Sequence, residues 1–170
     1  PGPTPRARRG LARRPGAAPA TPGTWEDLVT LFREWRAFET PPFVDGVPDY
    51  SARAMAAQHH ELPRWQARLQ ALEPSGWPVE QQIDWHLVRA EMNGLDFDHR
   101  VRKPWVRDPA FYVLIYADQS DVPAHEGLSI HGWVDLWTYD YPLSAVDAEK
   151  MAGAIEVIPP LLEQARRNLT

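Results

Sequence analysis

The sequence predicts an all-α protein, an irregular helical bundle around a central helix near residues 78–99 that forms part of a larger helical protein. Two observations predict this class. Apolar side chains recur at intervals of three or four residues in successive segments, which is the spacing of one helix face. In addition, no segment sustains the alternation of apolar and polar residues that is typical of a half-buried strand.

The first helix is predicted to begin after Thr24, because a threonine followed three residues later by Asp27 is a capping arrangement. Helical spacing continues for about 15 residues, until Pro41-Pro42 ends the helix. A loop with its turn at Asp45-Gly46 is predicted for the next segment, TPPFVDGVPDY.

Ser51 is the predicted N-cap of the second helix. Its apolar stripe continues across Pro63, so the sequence predicts one kinked helix rather than two separate ones. The tetrapeptide EPSG at 73–76 closes this helix.

The central helix is predicted within Trp77–His99, with Pro78 in its first turn. At about 100° per residue, one apolar side is formed by Val79, Ile83, Leu87, Ala90 and Phe97, and a nearly opposite one by Trp85, Val88, Met92 and Leu95. A helix that is apolar on two sides is expected to pack against protein on both. Two polar edges separate these sides, one with Glu80, Asp84, Glu91 and Asp98, the other with Gln82, His86, Arg89, Asn93 and Asp96.

A basic hinge, RVRKPWVR, follows the central helix, and Asp108-Pro109 is predicted to open a short helix that runs to Ile115. Residues 117–132 are predicted to form a polar loop, and GWVDLWTYDYPL is either helical or extended. Ser144 predicts the cap of a last amphipathic stretch, which Pro159-Pro160 breaks or kinks before helical spacing resumes.

Composition and charge divide the chain into a tail at 1–23 and a helical domain at 24–170. The tail is rich in Pro, Ala, Gly and Arg and is predicted to be disordered. Beyond it lie 13 basic and 23 acidic side chains, a net charge of −10, which argues against nucleic acid as a partner. No signal peptide or membrane span is apparent, and the chain has no cysteine for disulfides or thiolate metal sites. Because the chain opens on Pro1 and stops within a predicted helix, we expect a piece of a longer protein.

Several histidines and carboxylates are candidate chemical groups. His125-Glu126 lacks a histidine four residues on, and His131 does not share its helix face, so a solvated loop is favoured over a metal site. His59 lies on an apolar stripe and is interpreted as a hydrogen-bonded core residue. Asp84 and Glu91 lie about 10 Å apart along one helix, which favours an ion-paired edge over a catalytic carboxylate pair.

Two groups of residues are the candidates for the lining of a ligand cleft. One is the mixed polar edge of the central helix, and the other is an aromatic segment interleaved with aspartates that suits a sugar or a peptide. The candidate residues are His86, Arg89, Asn93, Trp133, Asp135, Trp137 and Tyr139. Neither group is a recognised catalytic motif, so no catalytic and no metal-ligating residue is assigned.

Four phrases of the sequence resemble, in this order, the amino-terminal part of the bacterial "domain of unknown function 885" proteins. They are FREWRAFETPPFVDGVPDY, WPVEQQIDWHLVRAEMNGLDF, RDPAFY and HGWVDLWTYDYPLS, and the resemblance covers most of residues 25–169. Members of that family are large, mostly helical, zincin-like proteins. The resemblance therefore implies a metal-dependent hydrolase of the peptidase kind, with a peptide substrate.

The family's zinc motif, a histidine-glutamate helix with a later histidine pair, lies downstream of the matched region. The resemblance consequently implies no cofactor in these residues, zinc in the full-length protein, and the carboxyl-terminal part of the same chain as a partner. The first hypothesis is thus a helical scaffold segment that is not catalytic by itself. The alternative is a self-sufficient helical module that binds a peptide or glycan through residues 133–141.

Overall fold

The computed structural model describes residues 23–112, 115–116 and 134–169. The all-α prediction is confirmed there: the helices are α1 (Trp25–Glu39), α2 (Ala52–Gln70), α3 (Val79–Phe97), α4 (Pro104–Arg107), α5 (Ala145–Glu156) and α6 (Ile158–Asn168). Two short ladders accompany them. Strand β1 (Phe43–Val44) is antiparallel to β2 (Val47–Pro48), and β3 (Ile115–Tyr116) is parallel to β4 (Val134–Asp135). Residues 1–22 of the predicted tail and the predicted loop at 117–132 lie outside the described residues.

Local capping signals place the starts of three helices, as predicted. Thr24 and Asp27 form a reciprocal capping box at the start of α1. The Ser51 side chain accepts a hydrogen bond from the Ala54 backbone N–H, and Ser144 caps α5 in the same way. Each cap satisfies a backbone N–H that has no partner within its own helix, which fixes where that helix begins.

Two predictions about α2 and the segment before it have different outcomes. The prediction of one helix across Pro63 is confirmed, since α2 runs without interruption from Ala52 to Gln70. The predicted turn at Asp45-Gly46 is confirmed, but the segment around it is a short hairpin between β1 and β2 rather than a loop throughout. Asp45 and Gly46 both have positive φ angles, 51° and 77°, and a two-residue turn of this kind matches the twist of the paired strands.

Helices α1, α2 and α3 pack around a first core cluster of nine buried residues. Trp35 is fully buried at its centre, with its ring 5.5 Å from Phe38 and 6.2 Å from Trp65. The buried members are Leu28, Leu31, Trp35, Leu62, Leu69, Trp85, Val88, Met92 and Leu95. This cluster holds the apolar face of each of the three helices.

The prediction that α3 is covered on both sides is wrong within the described residues. Its inner side, from Trp85 to Leu95, lies in the first core cluster. On the opposite side Val79 is 66% exposed, Ile83 51%, Leu87 59% and Phe97 47%. Helices α1 and α2 both lie against the inner side, and the main contacts of α4, α5 and α6 are with other elements.

The predicted basic hinge is a turn of π-helix at Asp98–Arg102, followed directly by α4. Lys103 joins the two with a left-handed backbone, at a φ of 49°. The short helix predicted to reach Ile115 is a 3₁₀ turn that ends at Tyr112, and Ile115 belongs to β3. The aromatic segment at 132–143, for which the sequence allows helix or strand, contains both in its described part, β4 and a 3₁₀ turn at Leu136–Thr138.

A second core cluster joins distant parts of the chain. Its buried members are Tyr50, Met55, Trp105, Tyr112, Leu161 and Ala165. The α6 side chain Gln164 is buried among them, where it accepts from the Tyr50 N–H and donates to the Pro48 carbonyl at 2.9 Å. Helix α5 contributes no buried residue. None of the described helices combines the length and apolar character needed to cross a membrane.

Candidate functional site

The polar edge of α3 lies over a buried tryptophan rather than inside a deep cleft. The His86 ring meets the Trp85 ring edge-on, with centroids 5.1 Å apart, and the Arg89 guanidinium lies 5.2 Å from the Trp85 centroid. Asn93 is exposed on the same edge. A shallow depression of about 450 Å³ borders Trp85 and His86, and its opposite wall is the turn from Glu73 to Ser75. These contacts shield the indole of Trp85 from solvent.

The aromatic candidates lie around β4 and the turn after it. Asp135 and Tyr139 are half-buried, and Trp137 is 43% exposed. Trp133, the fourth candidate of this segment, lies outside the described residues. The depression beside His86 includes none of these residues, so the structure does not bring the two predicted groups into one cavity. Both groups stay candidates for ligand contact.

An apolar groove runs between α1 and α3. It has a volume of about 620 Å³, and its floor and walls are formed by Trp25, Leu28, Val29, Phe32, Leu87 and Val88. Charged residues, Arg33 on α1 and Asp84 and Glu91 on α3, lie along its borders. Asp84 accepts a hydrogen bond from the Trp25 indole at 2.8 Å, and Glu91 lies 3.9 Å from Arg36. The Asp84 and Glu91 pair is therefore a hydrogen-bonded and ion-paired edge, as the sequence favoured.

A cleft of about 400 Å³ lies where α2, the π-turn, α4 and α6 meet. We call it the histidine cleft. It brings together two histidines, two cations and several apolar side chains from four separate segments. The lining residues are Tyr50, Ala52, Met55, Ala56, His59, His99, Lys103, Trp105, Val106, Arg167 and Asn168. This is the densest group of titratable side chains around any of the cavities described here.

Hydrogen bonds fix the tautomer of His99. Gln58 donates from its amide nitrogen to the Phe38 and Glu39 carbonyls, at 3.1 and 3.0 Å, so its amide oxygen faces the His99 ring. That oxygen lies 2.9 Å from His99 Nε2, which must therefore carry the proton and donate. The neutral ring then has an unprotonated Nδ1. Burial, assisted by the nearby His59 and opposed by Asp96, lowers the pKa of His99 to about 4.

His59 stacks on His99 with the ring centroids 5.0 Å apart and the planes nearly parallel. Its Nε2 lies 3.4 Å from Asp96, which also accepts from Arg100 at 2.7 Å. The Arg100 hydrogen bond, opposed by slight burial and assisted by His59, lowers the pKa of Asp96. His59 is thus a half-buried, hydrogen-bonded residue, close to the hydrogen-bonded core residue that the sequence indicates. The sequence does not predict that His59 stacks on His99.

Two buried carboxylates near this cleft each have an arginine partner. Glu39 lies 2.8 Å from Arg36, and Asp98 lies 3.0 Å from Arg102. Burial raises the pKa of both carboxyl groups, and the neighbouring arginine in each case opposes that increase. Since each acid is already paired with a cation on its own helical segment, both are structural ion pairs.

Acidification is expected to destabilise the fold through His99. An unfolded histidine has a pKa of about 6.5, whereas His99 in the fold has a pKa of about 4. Between these values the unfolded chain binds a proton that the folded chain does not. The contribution of the neutral His99 ring to the free energy of unfolding is therefore complete above pH 6.5 and is lost as pH falls toward 4.

Urea unfolding at pH 7 and pH 5 tests this expectation. The loss of stability in the wild type should be clearly smaller in His99→Gln. The matched control is His60, an exposed histidine that follows His59 in the chain. The variant His60→Gln should retain the wild-type pH dependence. An unchanged pH dependence in His99→Gln would contradict the assignment of a neutral buried ring.

The histidine cleft was not predicted, because its residues lie far apart in the sequence. His59 and His99 are 40 positions apart, and Arg167 follows another 68 positions later. One signal was available: the run from His99 to Arg107 holds four of the chain's 18 basic side chains. In the sequence this run indicates only a hinge, because nothing there shows that α6 packs beside it.

Among the described residues, no three His, Asp or Glu side chains are grouped so as to hold a metal ion. His125, Glu126 and His131 lie outside the described residues. No family model, curated protein or solved structure matches this chain. The family resemblance of the four sequence phrases accordingly stays a prediction.

Proposed function

We propose that this chain is the amino-terminal helical scaffold of a zinc-dependent, peptidase-like hydrolase, and that it is not catalytic by itself. The observation that carries the proposal is the outer side of α3. Val79, Ile83 and Leu87 are each more than half exposed, although their spacing is that of a buried helix face. An apolar helix side of this length typically marks an interaction surface in a soluble protein.

The adjacent groove supports an additional helix as the occupant. Leu87 belongs both to the exposed side of α3 and to the groove between α1 and α3, so the two apolar surfaces are continuous. An amphipathic helix from a later part of the same protein would place its apolar stripe there. Its flanking charges would meet Arg33 on one border and Asp84 or Glu91 on the other.

The resemblance to the "domain of unknown function 885" proteins supports the enzyme class. In that family the zinc ligands lie downstream of the region that these residues match. By this resemblance, the present residues form helices that flank a substrate cleft, and later residues bind the zinc ion and catalyse the reaction. The substrate implied by the resemblance is a peptide.

The gene beyond the codon for Thr170 provides the first test. We expect it to continue and to encode a histidine-glutamate helix with a later histidine. The longer product should bind zinc stoichiometrically, and the 170-residue chain should not. A stop codon after Thr170, or tight zinc binding by the 170-residue chain, would overturn the proposal.

A matched pair of variants tests the outer side of α3 as the contact surface. Leu87→Gln should destabilise the longer product by about 1.5–3 kcal/mol, the free energy of burying a large apolar side chain, and should leave the 170-residue chain nearly unchanged. Asn93→Gln is the control, because Asn93 is exposed on the polar edge of the same helix, and it should affect neither protein. Equal stability of Leu87→Gln and wild type in the longer product would contradict the proposed contact.

One observation favours the alternative, a self-sufficient module that binds a peptide or glycan. Trp137 and Tyr141 are exposed by 43% and 62%, and the Tyr141 hydroxyl donates to the Leu136 carbonyl, which holds the two rings in one short segment. A screen of peptides and glycans against the wild type and Trp137→Ala tests it. A ligand lost on mutation would support the module, and the absence of any ligand would count against it.

A further inference from the structure

The histidine cleft has more positive charge on its wall than the surrounding acids neutralise. Among the described residues, no carboxylate lies within ion-pair distance of Lys103. Arg167 contacts Glu163 at 3.4 Å, but Arg166 already holds both oxygens of that carboxylate at 2.9 Å. One glutamate thus serves two arginines, so about one positive charge remains uncompensated there in addition to Lys103.

The positive charge at the histidine cleft contrasts with the negative net charge of the helical domain. Residues 25–170 carry a net charge of −10, yet six of their 13 basic side chains lie in two short segments, 100–107 and 166–167. Helix α6 packs against α4, which brings those segments together at the cleft. The acid nearest the histidines, Asp96, is already bound by Arg100 and His59. The potential at the cleft therefore favours an anion.

Part of the remaining lining is apolar, although the Tyr50 and Asn168 side chains and the two histidines also border the cleft. Met55, Ala56, Trp105 and Val106 contribute to the cleft beside the cations. The volume of about 400 Å³ lies within the range of small-molecule sites. His99 is neutral near pH 7, so the charge that attracts an anion comes from Lys103 and Arg167, with apolar surface next to it.

We propose that the histidine cleft binds a small ligand that carries an oxyanion, a carboxylate or a phosphate, on a short apolar body. Lys103 and Arg167 hold the oxyanion, and Met55 and Trp105 contact the apolar part. The Arg167 guanidinium offers paired donors to two oxygens, and Lys103 adds a point charge. This ligand site is separate from the scaffold role of α3, because it uses neither the outer side of that helix nor the groove beside α1.

Titration of the 170-residue chain with acetate, butyrate and inorganic phosphate, followed by NMR at low ionic strength, tests the proposal. We expect saturable shifts at the Trp105 indole N–H and at the His59 ring. Butyrate has two more methylenes than acetate and should bind about three- to tenfold more tightly if they contact Met55 and Trp105. Phosphate bound more tightly than both carboxylates would identify the ligand class as a phosphate.

Charge variants distinguish a built site from general attraction. Lys103→Asn and Arg167→Gln should each weaken binding about tenfold or more, as expected for loss of a hydrogen bond to a charged group. Asn is chosen at Lys103 because it tolerates the left-handed backbone there, and Lys103→Arg should retain binding. Arg53→Gln removes the same charge from exposed Arg53 on α2, next to Ala52 but outside the cleft lining, and should change affinity by less than about twofold.

Thermal unfolding of each variant provides the check on folding, and all four substitutions lie at residues with solvent-exposed or half-buried side chains. Absence of saturable binding for all three probes would overturn the proposal. An equal loss of affinity in Arg53→Gln and Arg167→Gln would also overturn it, because binding would then depend on net charge alone. Neither result would bear on the zinc and stability tests of the scaffold proposal.

Discussion

Met92→Ala is expected to lower the free energy of unfolding by about 2–5 kcal/mol, whereas Leu87→Ala on the same helix should change it by less than about 0.5 kcal/mol. Met92 is completely buried in the first core cluster, and its truncation leaves a cavity among α1, α2 and α3. Leu87 is 59% exposed on the opposite side of α3, so its truncation removes little packing.

Urea unfolding of the 170-residue chain, followed by circular dichroism and tryptophan fluorescence, measures both changes. The two substitutions serve as controls for each other, because each removes a large apolar side chain from the interior of one helix. Similar losses at both positions would show that the outer side of α3 is covered in solution. That result would contradict the one-sided packing described above.

Gln164→Leu is expected to cost about 2–4 kcal/mol, although it replaces a polar side chain with an apolar one of similar size. The buried Gln164 side chain accepts from the Tyr50 N–H and donates to the Pro48 carbonyl. Leucine offers neither bond, and two buried backbone groups would lose their partners. The hydrogen bond from the Asn168 side chain to the Tyr50 carbonyl, at 2.9 Å, would still join α6 to this segment, so the loss is partial rather than complete.

Glu163→Leu is the matched control for this prediction, because Glu163 is the exposed neighbour on α6 and bonds only to arginines of its own helix. It should change the unfolding free energy by less than about 1 kcal/mol. Hydrogen exchange at the Tyr50 amide gives a second readout, which should accelerate only in Gln164→Leu. If the two leucine variants prove equally stable, Gln164 does not tie α6 to the hairpin.

Local chemistry explains which parts of the fold could be predicted. Thr24, Ser51 and Ser144 each act on a backbone N–H three residues away, so the helix starts can be inferred from short segments. The continuous stripe across Pro63 likewise predicts one helix, because core packing against the other helices outweighs one lost backbone bond. All of these features depend on neighbours within a few turns.

Long-range packing explains what could not be predicted. The two apolar sides of α3 are similar in the sequence, and only the positions of α1 and α2 determine that Met92 is buried and Leu87 is not. The stacking of His59 on His99 depends on how α2 lies against the end of α3. Arg167 reaches the same cleft only because α6 docks there. Periodicity assigns a residue to a face, but it does not say which element lies opposite.

The hairpin's dependence on α6 has a consequence for synthesis on the ribosome. Tyr50 and Gln164 are 114 positions apart, which corresponds to about 6–23 seconds of translation at 5–20 residues per second. All residues of the first core cluster are present in the nascent chain once Leu95 has been added. The second core cluster, which buries Tyr50 and Met55, also needs α6, which is synthesised later. During that interval Tyr50 and Met55 lack the α6 side chains that complete their core cluster in the finished fold.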